Sequence, residues 1–128
     1  LAQSSQNLLK FIEQYLPLVT EGRYVQAQVN PNLEVAVFSQ EKGEFIAPEQ
    51  YLSQGTIEQI YLIARLALYR MLTGGRAGFM IFDDPFVNFD EARRAAVMNL
   101  LQKFAEHTQI ILLTHSDMYK KFGKVIEV

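Results

Sequence analysis

The sequence predicts an α/β fold in which a parallel sheet with flanking helices follows a small antiparallel β meander. Two apolar stretches, residues 79–82 and 109–114, have the length of strands and are separated by a helical stretch. Apolar strands that alternate with helices are typical of parallel sheets covered on both faces. Three short stretches of alternating polarity come earlier in the chain and predict the meander.

Composition narrows the classes of function. The 128 residues are enough for one domain with a core, and the formal net charge of −2 does not indicate nucleic-acid binding. The absence of Cys excludes disulfides, thiolate zinc sites and a Cys nucleophile. No stretch reaches the roughly 20 apolar residues of a membrane span, and no signal peptide is recognisable. We therefore expect a cytoplasmic protein without a membrane partner, cut at Leu1 from a longer chain.

The first 17 residues predict the end of a helix that could continue a coiled coil. Leu8, Ile12 and Leu16 recur at helical spacing. Pro17 is expected to end or kink this helix, because proline lacks the backbone N–H. Residues 18–128 are expected to form the second, larger unit.

Residues 24–29 and 33–39 predict two strands, and a third begins at 45–46. The turn signals NPN at 30–32 and EKGE at 41–44 separate them. The meander is therefore predicted to be antiparallel.

Helices are predicted on both sides of the first apolar strand. Residues 56–73 lack Gly and Pro and are apolar on nearly all sides, which predicts a long, largely buried helix. A polar loop around Leu52 precedes it at 48–55, and a second helix is predicted at 91–106. Residues 122–128 predict a last strand.

Two adjacent carboxylates, Asp83 and Asp84, follow the strand at 79–82. In parallel α/β sheets, ligands bind beyond the carboxyl ends of the strands. A carboxylate there commonly holds Mg²⁺ together with phosphates, and the next acid can orient or deprotonate an attacking water. A strand-end turn rich in Asp and Pro explains the same residues equally well.

The stretch YLSQGTIEQ at 51–59 places Ser53 and Gly55 before the long helix. Unpaired N–H groups and the helix dipole make such a helix start a phosphate-binding position. Ordinary N-capping by Ser53 or Thr56 explains the stretch as well, and taken alone it is the better explanation.

His115 follows the second apolar strand in the stretch ILLTHS at 111–116. Its imidazole could hydrogen-bond a phosphate oxygen or an attacking water, although a lone strand-end His more often bonds the backbone. Together with VNFD at 87–90, these motifs form an ordered set with short spacings.

The ordered set, which covers about residues 51–116, resembles the nucleotide-binding domain of ABC-type ATPases. LSQGTIEQIYLIARLALY at 52–69 is similar to the signature helix of the SMC, RecF and SbcC group, in which a coiled coil splits the ATPase head. LPLVTEGRYVQAQVN at 16–30 resembles the segment that re-enters the head. DDPFVNFDEARR at 83–94 most resembles the bacterial YhaN-like ATPases, with an SbcC-type DNA-repair ATPase as the alternative.

The resemblance implies that residues 18–128 are the C-terminal lobe of a P-loop NTPase head. Asp83, at the end of the Walker B strand, would hold Mg²⁺ through water. Asp84 would be the catalytic base at a position where most relatives have Glu, and His115 would sense the γ-phosphate.

The resemblance also implies a dimer of two heads with ATP between them. Ser53 and Gly55 would contact the ATP bound to the opposite head, and Gln59 would fix their loop. Asn88 and Asp90, in the D-loop, would lie across the dimer interface. DNA would be a further partner, with a nuclease as an optional one.

The phosphate cradle G-x-x-x-x-G-K-[ST] does not occur in the sequence. The one Gly-Lys pair, Gly123-Lys124, is followed by Val125. We therefore expect the cradle on an N-terminal P-loop lobe of the same protein, and we expect the isolated lobe to turn over no ATP.

Two alternatives stay open. One is a nucleotide-gated dimerisation module with vestigial hydrolysis, which the shorter side chain of Asp84 favours. The other is an unrelated α/β binding domain with coincidental motifs.

Overall fold

The computed structural model describes residues 2–128. The helices are α1 (Ala2–Val19), α2 (Pro48–Tyr51), α3 (Gln54–Thr73) and α4 (Glu91–Phe104), with a 3₁₀ helix at Asp117–Phe122. The strands are β1 (Ala27–Val29), β2 (Val35–Ser39), β3 (Glu44–Ile46), β4 (Gly78–Asp83) and β5 (Thr108–Leu113). Within residues 2–128, no helix has the length and apolar character needed to cross a membrane.

The two predicted sheets are both present. In the meander β1–β2–β3, Val37 pairs with Ala27 on one side and Ile46 on the other, and both pairings are antiparallel. Strands β4 and β5 pair in parallel from Gly78 opposite Thr108. Helix α4 makes the crossover that a parallel pair requires. The predicted α/β class with an antiparallel meander is confirmed.

The core lies where α1, α3 and α4 meet. Ile12 and Leu16 of α1 are fully buried, as are Ile60, Ile63 and Leu66 of α3. These side chains recur every three or four residues, so each helix turns one apolar stripe toward the other.

Helix α1 runs two residues past Pro17, so of the end or kink predicted at Pro17, the end is wrong. Thr20 closes the helix instead, because its backbone N and its Oγ1 both donate to the Leu16 carbonyl, at 3.1 and 2.7 Å. Gly22, with φ of 77°, donates its N–H to the Pro17 carbonyl at 2.8 Å. A proline so near the end of a helix removes one backbone hydrogen bond, and the cap beyond it sets the end.

Helix α3 begins two residues earlier than predicted, because Ser53 caps it and accepts from the Thr56 N–H at 3.3 Å. The helix ends at Gly74, which has the left-handed φ of 61° that a C-cap requires. The buried residues of α3 lie between Gly55 and Ala67, and Leu72 near the far end is 72% exposed. The prediction of a largely buried helix therefore holds for the part of α3 up to Ala67.

The predicted last strand at 122–128 is wrong. A 3₁₀ helix at Asp117–Phe122, capped by the Ser116 hydroxyl, ends at the first of these residues, and the rest of the segment has no regular structure. A strand needs a hydrogen-bonding neighbour, and none lies beside this segment within residues 2–128. Lys120 donates hydrogen bonds to the carboxylates of Asp117 and Glu127, which raise the pKa of Lys120. The contact with Glu127 joins the tail to the 3₁₀ helix.

The parallel sheet is covered on one face only. Phe79, Ile81 and Leu113 occupy register positions on the opposite face and are 61%, 56% and 50% exposed. The expectation of a sheet covered on both faces is therefore not met within residues 2–128. An exposed apolar sheet face of this kind is typical of a surface that binds another protein segment.

Arg70 joins the three core helices. Its guanidinium carbon lies 5.1 Å from the ring centre of Phe11 and 4.9 Å from that of Phe104. Arg70→Met should keep the helix propensity but lose both cation–π contacts, and so lower the free energy of unfolding by about 1–2 kcal/mol. Urea denaturation measures this change. The control is Arg65→Met on the exposed side of the same helix. Equal losses of unfolding free energy in the two variants would contradict a stabilising role for the cation–π contacts of Arg70.

Candidate functional site

The carboxyl edge of the parallel sheet carries the paired acids. Asp83 ends β4 opposite Leu113, and the Asp84 N–H continues the ladder by donating to the Leu113 carbonyl. Asp84 and Phe86 have left-handed φ values of 40° and 67°, so the chain turns sharply here. Sharp backbone turns of this type cost energy and are concentrated at functional sites.

Asp84 contacts a residue that the sequence analysis did not single out. The Thr114 hydroxyl donates to Asp84 Oδ1 at 3.1 Å, and the Ser116 N–H donates to Thr114 Oγ1 at 3.0 Å. One available signal was that Thr114 directly follows β5. Residues that follow neighbouring parallel strands meet at the same edge of the sheet.

A cavity of about 440 Å³ opens at this edge and brings Asp84 and His115 together. Arg94 lines it, with its Nη2 donating to the Phe89 carbonyl at 3.1 Å. Tyr119 also lines it and donates its hydroxyl to the Pro85 carbonyl at 3.0 Å. The cavity thus holds a carboxylate, an imidazole and a guanidinium, which is a suitable set for an anionic substrate and a water.

The loop before α3 packs against the turn before α4. A Cβ on the buried Gly55 would lie 3.3 Å from the Asn88 carbonyl and 3.3 Å from Arg93 Nη1. Glycine at this position therefore permits a close approach between two loops of the same chain. Asn88 adds a side-chain contact, donating to Glu58 Oε1 at 2.8 Å.

Arg93 fastens these two loops together and was also missed from the sequence. Its Nη2 donates to Thr56 Oγ1 at 3.0 Å and lies 3.5 Å from Ser53 Oγ, while its Nη1 lies 3.4 Å from Asp90 Oδ2. Asp90 also caps α4 by accepting from the Arg93 N–H at 2.8 Å. The spacing of three residues between Asp90 and Arg93 was the available signal for this pair.

Gln59 lies apart from this surface. It is fully buried, and its Nε2 donates to the Val19 carbonyl at 2.6 Å. Its amide therefore joins α3 to the end of α1, beneath the exposed Ser53. Its support of the loop before α3 stays a prediction.

The residues present fit a magnesium ion that is held mainly by a nucleotide. Asp83 is exposed at the sheet edge. Among the described residues, no group of three or more His, Cys, Asp and Glu could hold a metal. Mg²⁺ commonly takes one or two carboxylates and completes its shell with waters and substrate phosphates. Asp83 is the residue that would bind it, through water.

A profile of the protein family described as "AAA domain, putative AbiEii toxin, Type IV TA system" matches residues 2–118. Two relatives are both described as "DNA double-strand break repair Rad50 ATPase". The protein of Sulfurisphaera tokodaii is 29% identical over 107 residues, covering 83% of this chain and 12% of the relative. The protein of Methanocaldococcus jannaschii is 38% identical over 75 residues, which cover 59% of this chain and 8% of the relative. The chain thus spans about a tenth of these relatives.

Solved structures of SMC heads share the fold. The "SMC head domain from Thermotoga maritima" superposes with a TM-score of 0.68 at 18% identity, over 94% of this chain and 41% of that one. The Pyrococcus yayanosii Smc head domain with a coiled coil and joint superposes with a TM-score of 0.71 at 17% identity. The match covers 93% of this chain and 23% of that one. A structure described as "Structural biochemistry of ATP-driven dimerization and DNA stimulated activation of SMC ATPases" gives 0.75 at 18%, over 97% and 76%. The predicted P-loop NTPase fold is confirmed.

Asp90→Ala should lower the free energy of unfolding by about 1 kcal/mol, because α4 loses its N-cap. Asp90→Ser keeps a capping oxygen and loses only the partly exposed pair with Arg93, so its loss should be a few tenths of a kcal/mol. Urea denaturation of both variants checks the difference. Equal losses in Ala and Ser would show that the ion pair, and not the cap, is the stabilising contact.

Proposed function

Since the chain belongs to the AAA domain family that matches residues 2–118, we propose that it is the C-terminal lobe of an ATPase head. The resemblance to SMC-like ABC ATPase heads, predicted from the motifs, is confirmed by the relatives and the shared fold. In this proposal a P-loop lobe of the same protein completes the site. The main observation in support of the proposal is that Asp84 and His115 line the same cavity at the sheet edge.

The open face of the parallel sheet supports the proposal that a second lobe covers it. Phe79, Ile81 and Leu113 leave an apolar surface that the P-loop lobe would cover. The chain corresponds to 41% of the Thermotoga maritima SMC head, so a larger head has room for such a lobe. The P-loop motif, which this sequence lacks, would then lie beside the paired acids.

The proposed reaction is hydrolysis of the γ-phosphate of ATP. Asp84 would orient the attacking water and accept its proton, and His115 would hydrogen-bond the γ-phosphate. Mg²⁺, held by Asp83 through water, would neutralise charge on the phosphates. Catalysis of phosphoryl transfer is mostly positioning and electrostatic stabilisation, which fits residues fixed at the end of a rigid sheet.

The loop before α3 that carries Ser53, here called the signature loop, and the D-loop with Asn88 and Asp90 would face a second head. Ser53, Asn88 and Asp90 are all exposed. Arg93 contacts Ser53 and Asp90, and Asn88 is held by its hydrogen bond to Glu58, so the three side chains belong to one connected surface. Ser53 and the helix start behind it would contact ATP bound to the partner head. The relatives' description as double-strand break repair ATPases supports a role in DNA repair or chromosome-associated work.

Co-expression of this lobe with the P-loop segment of its own protein should give Mg²⁺-dependent ATP hydrolysis, while the lobe alone gives none. Asp84→Asn should lower kcat by about 100-fold or more, because it removes the base. Ser53→Arg should abolish turnover by placing a bulky cation in the head–head interface. A steady-state phosphate-release assay measures both.

Two control variants lie at exposed positions of the meander. Glu41→Gln also neutralises a carboxylate, and Gln28→Arg also introduces an arginine. Both should leave turnover unchanged. Rapid hydrolysis by the pure lobe, or wild-type turnover in Asp84→Asn, would contradict the proposed site.

A nucleotide-gated dimerisation module is the second candidate. Asp84 is one methylene shorter than the Glu expected at its position, and the Thr114 hydroxyl already occupies one of its oxygens. Such a module would form ATP-dependent dimers without turnover, and Ser53→Arg would disrupt them. Sedimentation with and without ATP separates it from the enzyme.

A further inference from the structure

Thr114 lies between the two candidate residues of the cavity. It directly precedes His115, and its Oγ1 is 3.1 Å from Asp84 Oδ1. The same oxygen accepts the N–H of Ser116 at 3.0 Å. Thr114 therefore contacts both the acid that follows β4, Asp84, and the loop that follows β5.

The direction of both hydrogen bonds is fixed by their donors and acceptors. A threonine hydroxyl has one proton and two lone pairs, and an ionised carboxylate only accepts. Because the Ser116 N–H donates to Oγ1, the hydroxyl proton is free to point to Asp84. The result is a short chain from the Ser116 N–H through Thr114 to Asp84 Oδ1. Linked hydrogen bonds of this kind polarise and strengthen one another.

Asp84 is held at both of its ends by residues that end or follow β5. Its N–H bonds the Leu113 carbonyl, and its carboxylate bonds the next residue, Thr114. The backbone of Asp84 has a left-handed φ of 40°, and the side chain is one methylene shorter than that of Glu. With Oδ1 bound to Thr114, Oδ2 is available to accept a hydrogen bond from a water.

We propose that Thr114 is the positioning residue that aligns the Asp84 carboxylate with the attacking water and ties it to the loop that carries His115. The inference rests on the proposed function, because it gives Asp84 a water to orient. Thr114 touches neither nucleotide nor water in this account and acts only through Asp84. Its loss should therefore slow turnover without weakening ATP binding.

The test uses this lobe co-expressed with its P-loop segment. Thr114→Val keeps the shape but removes the hydroxyl, and should lower kcat by about tenfold or more. KM and ATP-dependent dimerisation, followed by light scattering, should stay within about twofold. Thr114→Ser restores a hydroxyl and should recover kcat to within about threefold of wild type. Thr108→Val makes the same change at the start of β5 and should leave kcat unchanged.

A double variant shows whether Thr114 acts through Asp84. In an Asp84→Asn background, Thr114→Val should cause no further loss of kcat, because the group that it positions is already gone. A further tenfold loss in the double variant would overturn the proposal. Thr114→Ala, with less bulk, replaces the Val variant if circular dichroism shows that the latter does not fold.

The outcomes separate this inference from the proposed function. Wild-type kcat in Thr114→Val, or equal losses in the Val and Ser variants, would overturn the role of Thr114 while an inactive Asp84→Asn keeps the proposed function. An active Asp84→Asn, or no turnover by the wild-type pair of lobes, would overturn the proposed hydrolysis and the role of Thr114 with it.

Discussion

The parallel pairing of β4 with β5 is the constraint on which the candidate site depends. Its register sets Asp83 opposite Leu113, and the residues that follow, Asp84 and Thr114, are then within hydrogen-bonding distance. A slip of one residue would move the apolar side chains to the opposite faces and separate this pair. Helix α4 connects the two strands, and its Val97 and Leu101 are buried in the core.

A second set of contacts connects the site to the rest of the lobe. Gly55 and Arg93 fasten the start of α3 to the start of α4, so the surface around Ser53 is continuous with the turn after the paired acids. Deeper in the lobe, Gln59 and Arg70 join α3 to α1 through a buried amide and a pair of aromatic rings.

The sequence predicted the features that depend on local pattern. Apolar strands ending in Asp83 and before His115 indicated both the parallel sheet and the edge at which ligands bind. Features that depend on distant partners were missed or wrong. Residues 122–128 form no strand, because no neighbouring strand lies beside them within residues 2–128. At Pro17 the error was local, because a cap formed by Thr20 and Gly22 sets the end of α1 two residues later. The contacts of Thr114 and Arg93 require the angles between elements, which residue patterns do not contain.

Association of a P-loop lobe with the open sheet face tests most directly whether such a lobe completes this one. Analytical ultracentrifugation of this lobe mixed with the P-loop segment of its own protein should show a 1:1 complex without nucleotide. Ile81→Asp, which places a charge on the open face, should abolish the complex, and Leu33→Asp on an exposed turn should not. No complex with the wild-type lobe, or full binding by Ile81→Asp, would contradict the account.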